Sequence, residues 1–410
     1  MIGLVHILLF RLVHAGGNLN NGGNAGVACR NSNNDLGNAN SNNGSQLSYF
    51  FYDRWTKPCH LAKHKQKIMG VGIPAIAGRK LSNDSTMKRK GNLYKQLCSD
   101  ENIRMAFHNA KKGKKHYREV KEISQNLEYY VAHLKRMLEN EQFSTSGYEL
   151  FTRESGGKIR EIYKLPYYPD RIIHHCIIQV VQDLWMNLLI RDTFSTIPGR
   201  GIHDGVNRIK QAMHDVEGTK YCMKLDIRKY YPSISHDILK QILRRKIKDR
   251  QFLRLLDEII DSAPGIPIGN YVSQWFGNIY LAYFDHWVKE ELKCKHYYRY
   301  CDDLVIIGPD KNELREKMQQ ISAYLQNNLA LELKSNYQIF PVDSRGIDFL
   351  GYRFFHGYTL VRKRIVKAMK KKLHQPKSMA SYWGWLKHAD AYRLTQKYIK
   401  DEKGKFKQTA

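Results

Sequence analysis

The sequence lacks the cysteine spacing that structural zinc sites and disulfide-rich domains require. No two of its cysteines stand in a Cys-x-x-Cys pair, and they are scattered along all 410 residues. This spacing argues against a zinc knuckle and a disulfide framework and favours a reducing compartment, which we expect to be the cytoplasm. The cysteines are Cys29, Cys59, Cys98, Cys176, Cys222, Cys294 and Cys301.

Long apolar runs are also missing. Residues 2–10 resemble the core of a signal peptide, but no basic residue precedes them and the run is too short to span a bilayer. We therefore expect no membrane association. The overall apolar content of 42% still allows a sizeable core, and the length suits two or three domains.

Acidic residues are scarce relative to basic ones. The chain holds 67 Lys and Arg but 39 Asp and Glu, which gives a formal charge of +28. Only nine of the basic residues lie in the first 86 positions, so the surplus belongs mainly to the rest of the chain. A surplus spread in this way indicates a polyanionic partner, and nucleic acid is favoured because no long basic amphipathic helix carries the charge.

Large apolar residues are almost absent from residues 17–45, which contain 11 Asn and 6 Gly among 29 positions. Such a segment cannot bury enough surface to fold alone, so we expect residues 1–86 to form a low-complexity, disordered leader. Residues 87–145 are expected to be an N-terminal helical region. Their clearest apolar stripe at helical spacing consists of Leu127, Tyr130, Val131, Leu134 and Leu138.

The strongest local signal is a pair of adjacent carboxylates between two strand-like runs. Asp302 and Asp303 separate residues 297–301 from residues 304–307, a pattern that predicts two antiparallel strands with the acids at a tight turn. Adjacent carboxylates repel, and bound divalent cations give a chain a reason to place them there. Most Asp-Asp pairs lie in solvated turns, so this one gains its meaning from the motifs around it.

A third aspartate ends a strand-like run upstream. Asp226 follows residues 221–225 and precedes the aromatic pair Tyr230 and Tyr231, and Ser235 is expected to cap the next helix. An acid at a strand end beside a second strand pair is the arrangement that a two-metal site requires.

Basic residues follow a Gly-Gly turn earlier in the chain. Lys158 and Arg160 come directly after Gly156 and Gly157, and short strand-like runs on both sides predict a hairpin. Lys and Arg on a hairpin can hold a triphosphate or a template backbone through charge-assisted hydrogen bonds. A solvated basic turn explains the segment equally well.

Two loops rich in glycine or proline follow. Arg200 lies in a loop that lacks the Gly-Lys-Ser/Thr ending of a phosphate-binding P-loop. Residues 266–274 predict a turn that lets backbone approach a ligand closely, and one apolar helix is expected from Trp275 to about Val288.

The C-terminal part predicts further strands and then basic helices. Leucines alternate over residues 329–333 as a strand that ends at Lys334, and residues 346–352 predict a turn between two strands. Residues 363–398 are basic and helical.

In this order the segments resemble the reverse transcriptases, over roughly residues 87–400. The resemblance implies an α+β fold, a right hand of fingers, palm and thumb with an antiparallel palm sheet backed by helices. We expect the fingers and palm in residues 146–355 and a basic helical thumb and tail in residues 356–410. The matching motifs are Asp226 with its aromatic pair, the Gly269-x-x-x-Ser273 turn, the Tyr-x-Asp-Asp of Tyr300, Asp302 and Asp303, Lys334, and the Phe-Leu-Gly-Tyr of residues 349–352.

The resemblance also implies roles for individual residues in an RNA-directed DNA polymerase that uses two Mg²⁺ ions, with Mn²⁺ as an alternative. The catalytic and metal-binding residues are Asp226, Asp302 and Asp303, with the backbone carbonyl of Ile227 as a further ligand. Nucleotide-binding residues are Lys158, Arg160, Tyr231, Ile268, Gly269, Ser273, Gln274 and Lys334. Residues that position primer or template are Arg200, Phe349, Leu350, Gly351 and Tyr352.

Some of these roles have a specific chemical content. Tyr231, five residues past Asp226, matches the steric gate that occupies the space of a ribose 2′-hydroxyl. Lys158 and Arg160 would hold the triphosphate, and Lys334 would protonate the departing pyrophosphate. Ile268 stands where many reverse transcriptases carry a Gln that aligns the incoming nucleotide, and we expect its aliphatic side chain to lower fidelity.

Within this group the chain resembles the enzymes of diversity-generating retroelements. The resemblance lies in Ser273-Gln274 in place of Ser-Pro, in the thumb-like residues 381–388, and in residues 16–27, which resemble the variable region of a lectin-like target. The expected function is copying of a template-repeat RNA into cDNA with adenine-directed errors for mutagenic retrohoming. Expected partners are that RNA, a cDNA primer, dNTPs and a small basic accessory variability protein. Residues 1–86 would be translated template and spacer, with a native start at Met87.

Two other interpretations remain open. A phage-defence or retron-type reverse transcriptase would share the palm, and neighbouring genes would distinguish it. An RNA-binding protein with an inactive palm is the non-enzyme alternative, but the presence of all three carboxylates argues against decay.

Overall fold

The computed structural model describes residues 89–155 and 158–399. No helix within these two ranges is long and apolar enough to cross a membrane. The predictions made for the leader, residues 1–86, lie outside the described residues, and the proposed domain boundaries stay predictions.

The described chain begins with four short helices. Ser99 caps the second of them by accepting a hydrogen bond from the backbone N–H of Asn102. The predicted apolar stripe in the fourth helix is confirmed, because Val131, Leu134 and Leu138 are all buried. The helices are α1 (Leu93–Leu97), α2 (Asp100–Ala110), α3 (Arg118–Gln125) and α4 (Leu127–Glu139).

An antiparallel hairpin follows, as the Gly-Gly turn predicted. Strand β1 (Glu149–Ser155) pairs with β2 (Lys158–Lys164), with Glu149 opposite Lys164. A short π-helical turn then leads into α5 (Ile172–Met186), which is apolar on most of its surface and lies in the core.

A four-stranded antiparallel sheet forms the centre of the molecule, in the order β4-β5-β3-β6. This sheet, backed by helices, confirms the α+β architecture expected for the palm. Its strands are β3 (Tyr221–Asp226), β4 (His296–Tyr300), β5 (Asp303–Gly308) and β6 (Gln338–Pro341).

Alternating side chains of the sheet enter two different hydrophobic clusters. Met223 and Leu225 belong to the larger cluster with the helices, whereas Cys222, Val305 and Ile307 belong to the smaller cluster with the C-terminal elements. The sheet is therefore covered on both faces, which explains why β5 reads as a continuous apolar run.

The helices that surround the sheet correct two expectations. The apolar helix predicted from Trp275 to Val288 is two helices that break at Leu281. The strand predicted over residues 329–334 is the end of a helix followed by an extended segment, in which Leu333 makes a single bridge to Ile227. The helices are α6 (Ile202–Ala212), α7 (Tyr230–Ser233), α8 (His236–Lys246), α9 (Arg250–Asp261), α10 (Ser273–Tyr280), α11 (Ala282–Glu290) and α12 (Lys311–Leu329).

A three-stranded sheet and four helices make up the C-terminal part of the described chain. The turn between its first two strands has positive φ at Leu350 (51°) and Gly351 (85°), the backbone of a tight two-residue hairpin. These elements are α13 (Val342–Arg345), β7 (Ile347–Phe349), β8 (Tyr352–Phe354), β9 (Thr359–Val361), α14 (Lys363–Lys370), α15 (Pro376–Leu386) and α16 (Tyr392–Tyr398).

Candidate active site

The central sheet brings the predicted carboxylates together at one end. Asp226 is the last residue of β3 and Asp303 the first of β5, and their Cα atoms are partners across the two strands. Residues directly opposite in an antiparallel pair have Cα atoms about 4.5 to 5.5 Å apart. Asp302 is adjacent, and its carbonyl accepts a hydrogen bond from the Ile227 N–H over 3.4 Å.

The turn that carries the two adjacent acids has an unusual backbone. Cys301 joins β4 to this turn with φ of 58°, a left-handed conformation that few non-glycine residues adopt. Such conformations persist where the surrounding structure fixes them. The buried Cys301 thiol donates to the Tyr231 hydroxyl over 3.3 Å, which ties the turn to the residue predicted as the steric gate.

One carboxylate oxygen of Asp226 accepts a hydrogen bond, and the other has no hydrogen-bond partner among the described residues. Its Oδ2 accepts a hydrogen bond from the Lys334 ammonium over 2.8 Å, and its backbone carbonyl accepts one from the Lys334 N–H over 2.9 Å. Its Oδ1 is buried and accepts no hydrogen bond from the described residues. Burial and the charge of Asp303 raise the pKa of the Asp226 carboxyl, although Lys334 opposes them.

The carboxylate oxygens at this site suit Mg²⁺ better than a metal ion that protein ligands enclose completely. In residues 89–155 and 158–399 no group of three or more His, Cys, Asp or Glu side chains stands ready to hold a metal. Mg²⁺ is usually held by one or two carboxylates, several waters and substrate phosphates. A buried oxygen without a partner on Asp226, beside the Asp302–Asp303 turn, suits that mode of binding.

Comparison with known families decides what kind of domain holds this site. Residues 152–354 match the family model described as reverse transcriptase (RNA-dependent DNA polymerase). These residues form a reverse transcriptase domain. All three aspartates lie inside it, and the right-hand polymerase fold expected from the sequence is confirmed.

Relatives of the reverse transcriptase domain occur in bacteria and in fungal introns. Protein YkfC of Escherichia coli K12 is 24% identical over 260 residues, covering 52% of this chain and 66% of that protein. An uncharacterised 91 kDa protein in the cob intron of Schizosaccharomyces pombe is 27% identical over 175 residues, covering 40% of this chain. The putative COX1/OXI3 intron 2 protein of Saccharomyces cerevisiae is 19% identical over 246 residues, covering 43% of this chain. The chain spans 21% and 29% of these two fungal proteins.

Two solved telomerase structures are similar to part of this chain. Apo telomerase from Candida tropicalis matches with a TM-score of 0.43 and 10% identity, over 63% of this chain and 60% of that one. Telomerase from Candida albicans in complex with a TWJ fragment of telomeric RNA has a TM-score of 0.41 and 10% identity, over 63% and 57% of the two chains.

The reverse transcriptase domain places Tyr231 beneath the carboxylate turn. Its side chain is only 3% exposed, and a Cβ built on Gly277 in α10 would lie 3.0 Å from its ring. The absence of a side chain at Gly277 therefore lets the helix lie against the ring. The steric-gate role itself stays a prediction.

The turn over residues 266–274 lies against the β1–β2 hairpin. The Tyr163 N–H in β2 donates to the Ile268 carbonyl over 3.1 Å. Gly269 has φ of 137°, and a Cβ there would lie 2.0 Å from the Tyr163 carbonyl oxygen, so only glycine fits. Ser273 and Gln274 are both buried, and the Gln274 side chain accepts a hydrogen bond from the Thr196 hydroxyl.

The other residues predicted to bind nucleotide or to position primer and template are distributed over β2, the loop of Arg200 and the β7–β8 hairpin. Lys158 and Arg160 are on β2, but their side chains lie outside the part of the chain that the structure describes. Arg200 donates to the carbonyl of Ile190 over 3.0 Å, so one of its nitrogens is used within the fold. Phe349, Leu350 and Tyr352 are buried, and the Tyr352 hydroxyl donates to the Trp385 carbonyl over 3.0 Å.

Sequence reasoning missed a link between strand β3 and the β7–β8 hairpin. Lys224 lies two residues before Asp226 on the same face of β3, and its ammonium donates to the Asp348 carbonyl over 2.8 Å. The Asp348 carboxylate in turn accepts from Arg362, at the start of α14, over 2.7 Å. Strand alternation indicates the face of Lys224, but no local pattern identifies a partner 124 residues away.

Proposed function

We propose that this chain is an RNA-dependent DNA polymerase whose catalytic carboxylates are Asp226, Asp302 and Asp303. The observation that carries the proposal is the pairing of Asp226 with Asp303 at the end of the central sheet, inside a reverse transcriptase domain. Polymerases of this type bring an attacking hydroxyl and a triphosphate into line between metal-binding carboxylates.

The carboxylates would hold two Mg²⁺ ions, with Mn²⁺ as an alternative, and the Ile227 carbonyl would be a further ligand. Bound ions lower the pKa of the primer 3′-hydroxyl and neutralise charge on the triphosphate. The buried Asp226 Oδ1 supports this assignment, because it lacks another partner among the described residues. Lys334, whose ammonium lies 2.8 Å from Asp226 Oδ2, would supply a proton to the departing pyrophosphate.

Primer extension on an RNA template tests this proposal. Asp302→Ala is expected to abolish cDNA synthesis while filter binding of the primer–template persists, because the +28 chain binds nucleic acid through charges elsewhere. Asp237→Ala, at an exposed aspartate in the first turn of α8, is the matched control and should leave synthesis intact. Synthesis by the Asp302→Ala variant at the normal rate would refute the proposal.

We further propose that the template is the repeat RNA of a diversity-generating retroelement and that errors occur opposite template adenines. The support is the aliphatic Ile268 and the Ser273-Gln274 pair in the turn that contacts β2. A missing polar contact near the nucleotide leaves selection to base-pair geometry alone, and small differences in transition-state binding then set the error rate.

Substitution at Ile268 tests the error mechanism. Ile268→Gln is expected to reduce misincorporation opposite adenine, because the amide restores a polar contact to the incoming nucleotide. Ile268→Leu keeps an aliphatic side chain at this buried position and serves as the control. Sequencing of the cDNA gives both error spectra, and identical spectra for Gln and wild type would contradict the mechanism.

The retroelement proposal also implies partners. A small basic accessory protein, a cDNA primer and dNTPs would act with the polymerase in the cytoplasm. The genomic neighbourhood tests this part: a pair of repeats beside a lectin-like gene is expected, and their absence would favour a defence or retron-type enzyme.

A further inference from the structure

A charged pair lies fully buried behind the carboxylate turn. Arg299 in β4 and Asp285 in α11 both have 0% of their side chains exposed, with Nη2 and Oδ2 only 2.6 Å apart. The Arg299 Nε lies 2.9 Å from each oxygen of Asp285. Asp285 also accepts a hydrogen bond from the Tyr297 hydroxyl over 2.6 Å.

The same guanidinium reaches the turn itself. Arg299 Nη1 donates to the carbonyl of Cys301 over 3.1 Å and to the Asn278 side chain over 3.2 Å. The Cys301 carbonyl belongs to the left-handed residue directly before Asp302. A planar guanidinium held by a carboxylate on one edge presents its other donors in a fixed direction.

The backbone of Arg299 is also held. Its N–H donates to the Asp192 carbonyl over 3.0 Å, and its own carbonyl accepts from the Phe194 N–H over 3.0 Å. With Asp285 on α11 and these two bonds to a neighbouring segment, Arg299 has little freedom to move. The donor to the Cys301 carbonyl is therefore fixed in place.

Fold stability alone gives little reason for such a pair. Removing two charges from water is costly, and apolar residues of similar volume commonly stabilise a core equally well. What apolar residues cannot supply is a donor to the Cys301 carbonyl.

We propose that Arg299, held by Asp285, is a positioning residue that fixes the direction in which the turn presents Asp302 and Asp303 to the catalytic metal ions. The inference rests on the proposed polymerase function. Without the bond to the Cys301 carbonyl, the turn would relax from its left-handed conformation and the two carboxylates would lose their alignment with Asp226.

Two variants at Arg299 test the inference. Arg299→Lys keeps a positive charge for Asp285 but lacks the fork needed to reach the Cys301 carbonyl as well. The double variant Arg299→Met with Asp285→Leu removes both charges together, so that neither is left buried and unpaired. Circular dichroism melts establish that each protein is folded.

The main readout is metal affinity rather than rate. Mn²⁺ binding is followed by electron paramagnetic resonance in a complex with a dideoxy-terminated primer–template and an incoming dNTP. We expect affinity to fall about ten-fold or more in a folded Arg299 variant, the size of loss typical when a residue supporting metal ligands is removed. The Mg²⁺ concentration for half-maximal primer extension should rise in parallel.

Tyr297→Phe is the matched control. It removes a buried hydrogen bond to the same Asp285 but leaves the bond from Arg299 to the Cys301 carbonyl in place. We expect it to lower thermal stability without changing Mn²⁺ affinity. A loss of affinity in this control equal to that in Arg299→Lys would assign the effect to general destabilisation and overturn the inference.

The two proposals fail separately. Wild-type Mn²⁺ affinity and Mg²⁺ dependence in either folded Arg299 variant overturn the positioning role, even when Asp302→Ala is inactive. Normal synthesis by Asp302→Ala overturns the polymerase function itself, whatever the Arg299 variants do.

Discussion

Replacing Gly351 by alanine should disrupt the contact between the β7–β8 hairpin and helix α15. A Cβ at this position would lie 2.4 Å from the Trp385 ring, and the residue has φ of 85°. Left-handed backbone costs a residue with a Cβ about 1 to 2 kcal/mol. Overpacking against a buried ring adds about 1 to 3 kcal/mol, so the expected loss of stability is about 2 to 5 kcal/mol.

The assay combines urea unfolding, followed by tryptophan fluorescence, with primer extension. Because the hairpin is predicted to position the primer, we expect the KM for primer–template to rise more than kcat falls. The second variant is Gly351→Ala with Trp385→Leu, which removes the ring that the new Cβ meets. Because the two sites are coupled, it should lose less stability than the sum of the two single substitutions.

Gly357→Ala is the matched control. No atom lies within 4 Å of a Cβ built there and its φ is not left-handed, so the change should be neutral or stabilise by up to about 1 kcal/mol. Equal stability of the Gly351→Ala and Gly357→Ala proteins would refute the reasoning, because it would mean that the close approach of the hairpin to Trp385 does not constrain the fold.

Two further predictions concern the histidine pair His203–His388 and Lys224 in β3. His203 and His388 stack with ring centroids 4.0 Å apart, and burial lowers their pKa values to about 3 and about 4, with Lys387 adding to the effect at both and Lys210 at His388. The contribution of these histidines to stability should be fully present above the unfolded pKa of about 6.5 and fall by roughly 1 to 2 kcal/mol per histidine by pH 5. Thermal melts of His203→Phe should therefore show a smaller loss of stability in acid. The exposed-site variant His108→Gln is the control, and a loss in His203→Phe as steep as in this control would count against the pair. Lys224→Met removes a charged donor to the Asp348 carbonyl, a hydrogen bond worth about 1.5 to 3 kcal/mol. The KM for primer–template should therefore rise at least several-fold. An unchanged KM would show that this hydrogen bond does not hold the β7–β8 hairpin.

Local patterns predicted the parts of the site that depend on neighbours in the chain. Short strand-like runs identified β3 and β5, and the Asp302–Asp303 break identified the turn between β4 and β5. The motif order then indicated that Asp226 belongs with that turn, which the pairing of Asp226 with Asp303 confirms.

The errors came from segments in which tertiary contacts override the local pattern. Leucines alternate over residues 329–333, but α12 extends to Leu329 and Ala330 then adopts a left-handed cap, so only a single bridge to Ile227 remains of the expected strand. The pattern over residues 275–288 predicts one helix. The two helices meet at Leu281, and this apolar residue gives no sign in the sequence that a helix ends there.

Charged residues inside the fold were beyond the reach of sequence reasoning for a different reason. Arg299 lies among aromatic strand residues, where a charged side chain is usually exposed. It is nevertheless fully buried, because Asp285 in α11 forms an ion pair with it. A buried charge is tolerable only with its partner, and the partner is set by the packing of a helix on a sheet.

The arrangement around Asp226 indicates how the candidate site becomes complete. Lys334 neutralises one carboxylate oxygen while the buried Oδ1 has no partner among the described residues, and no cluster of three ligating side chains is assembled there. In the proposed polymerase, triphosphate oxygens and the primer terminus would supply further donors to Mg²⁺. Metal binding and substrate binding would then strengthen each other, so that the ions are held firmly only when both reactants are in place.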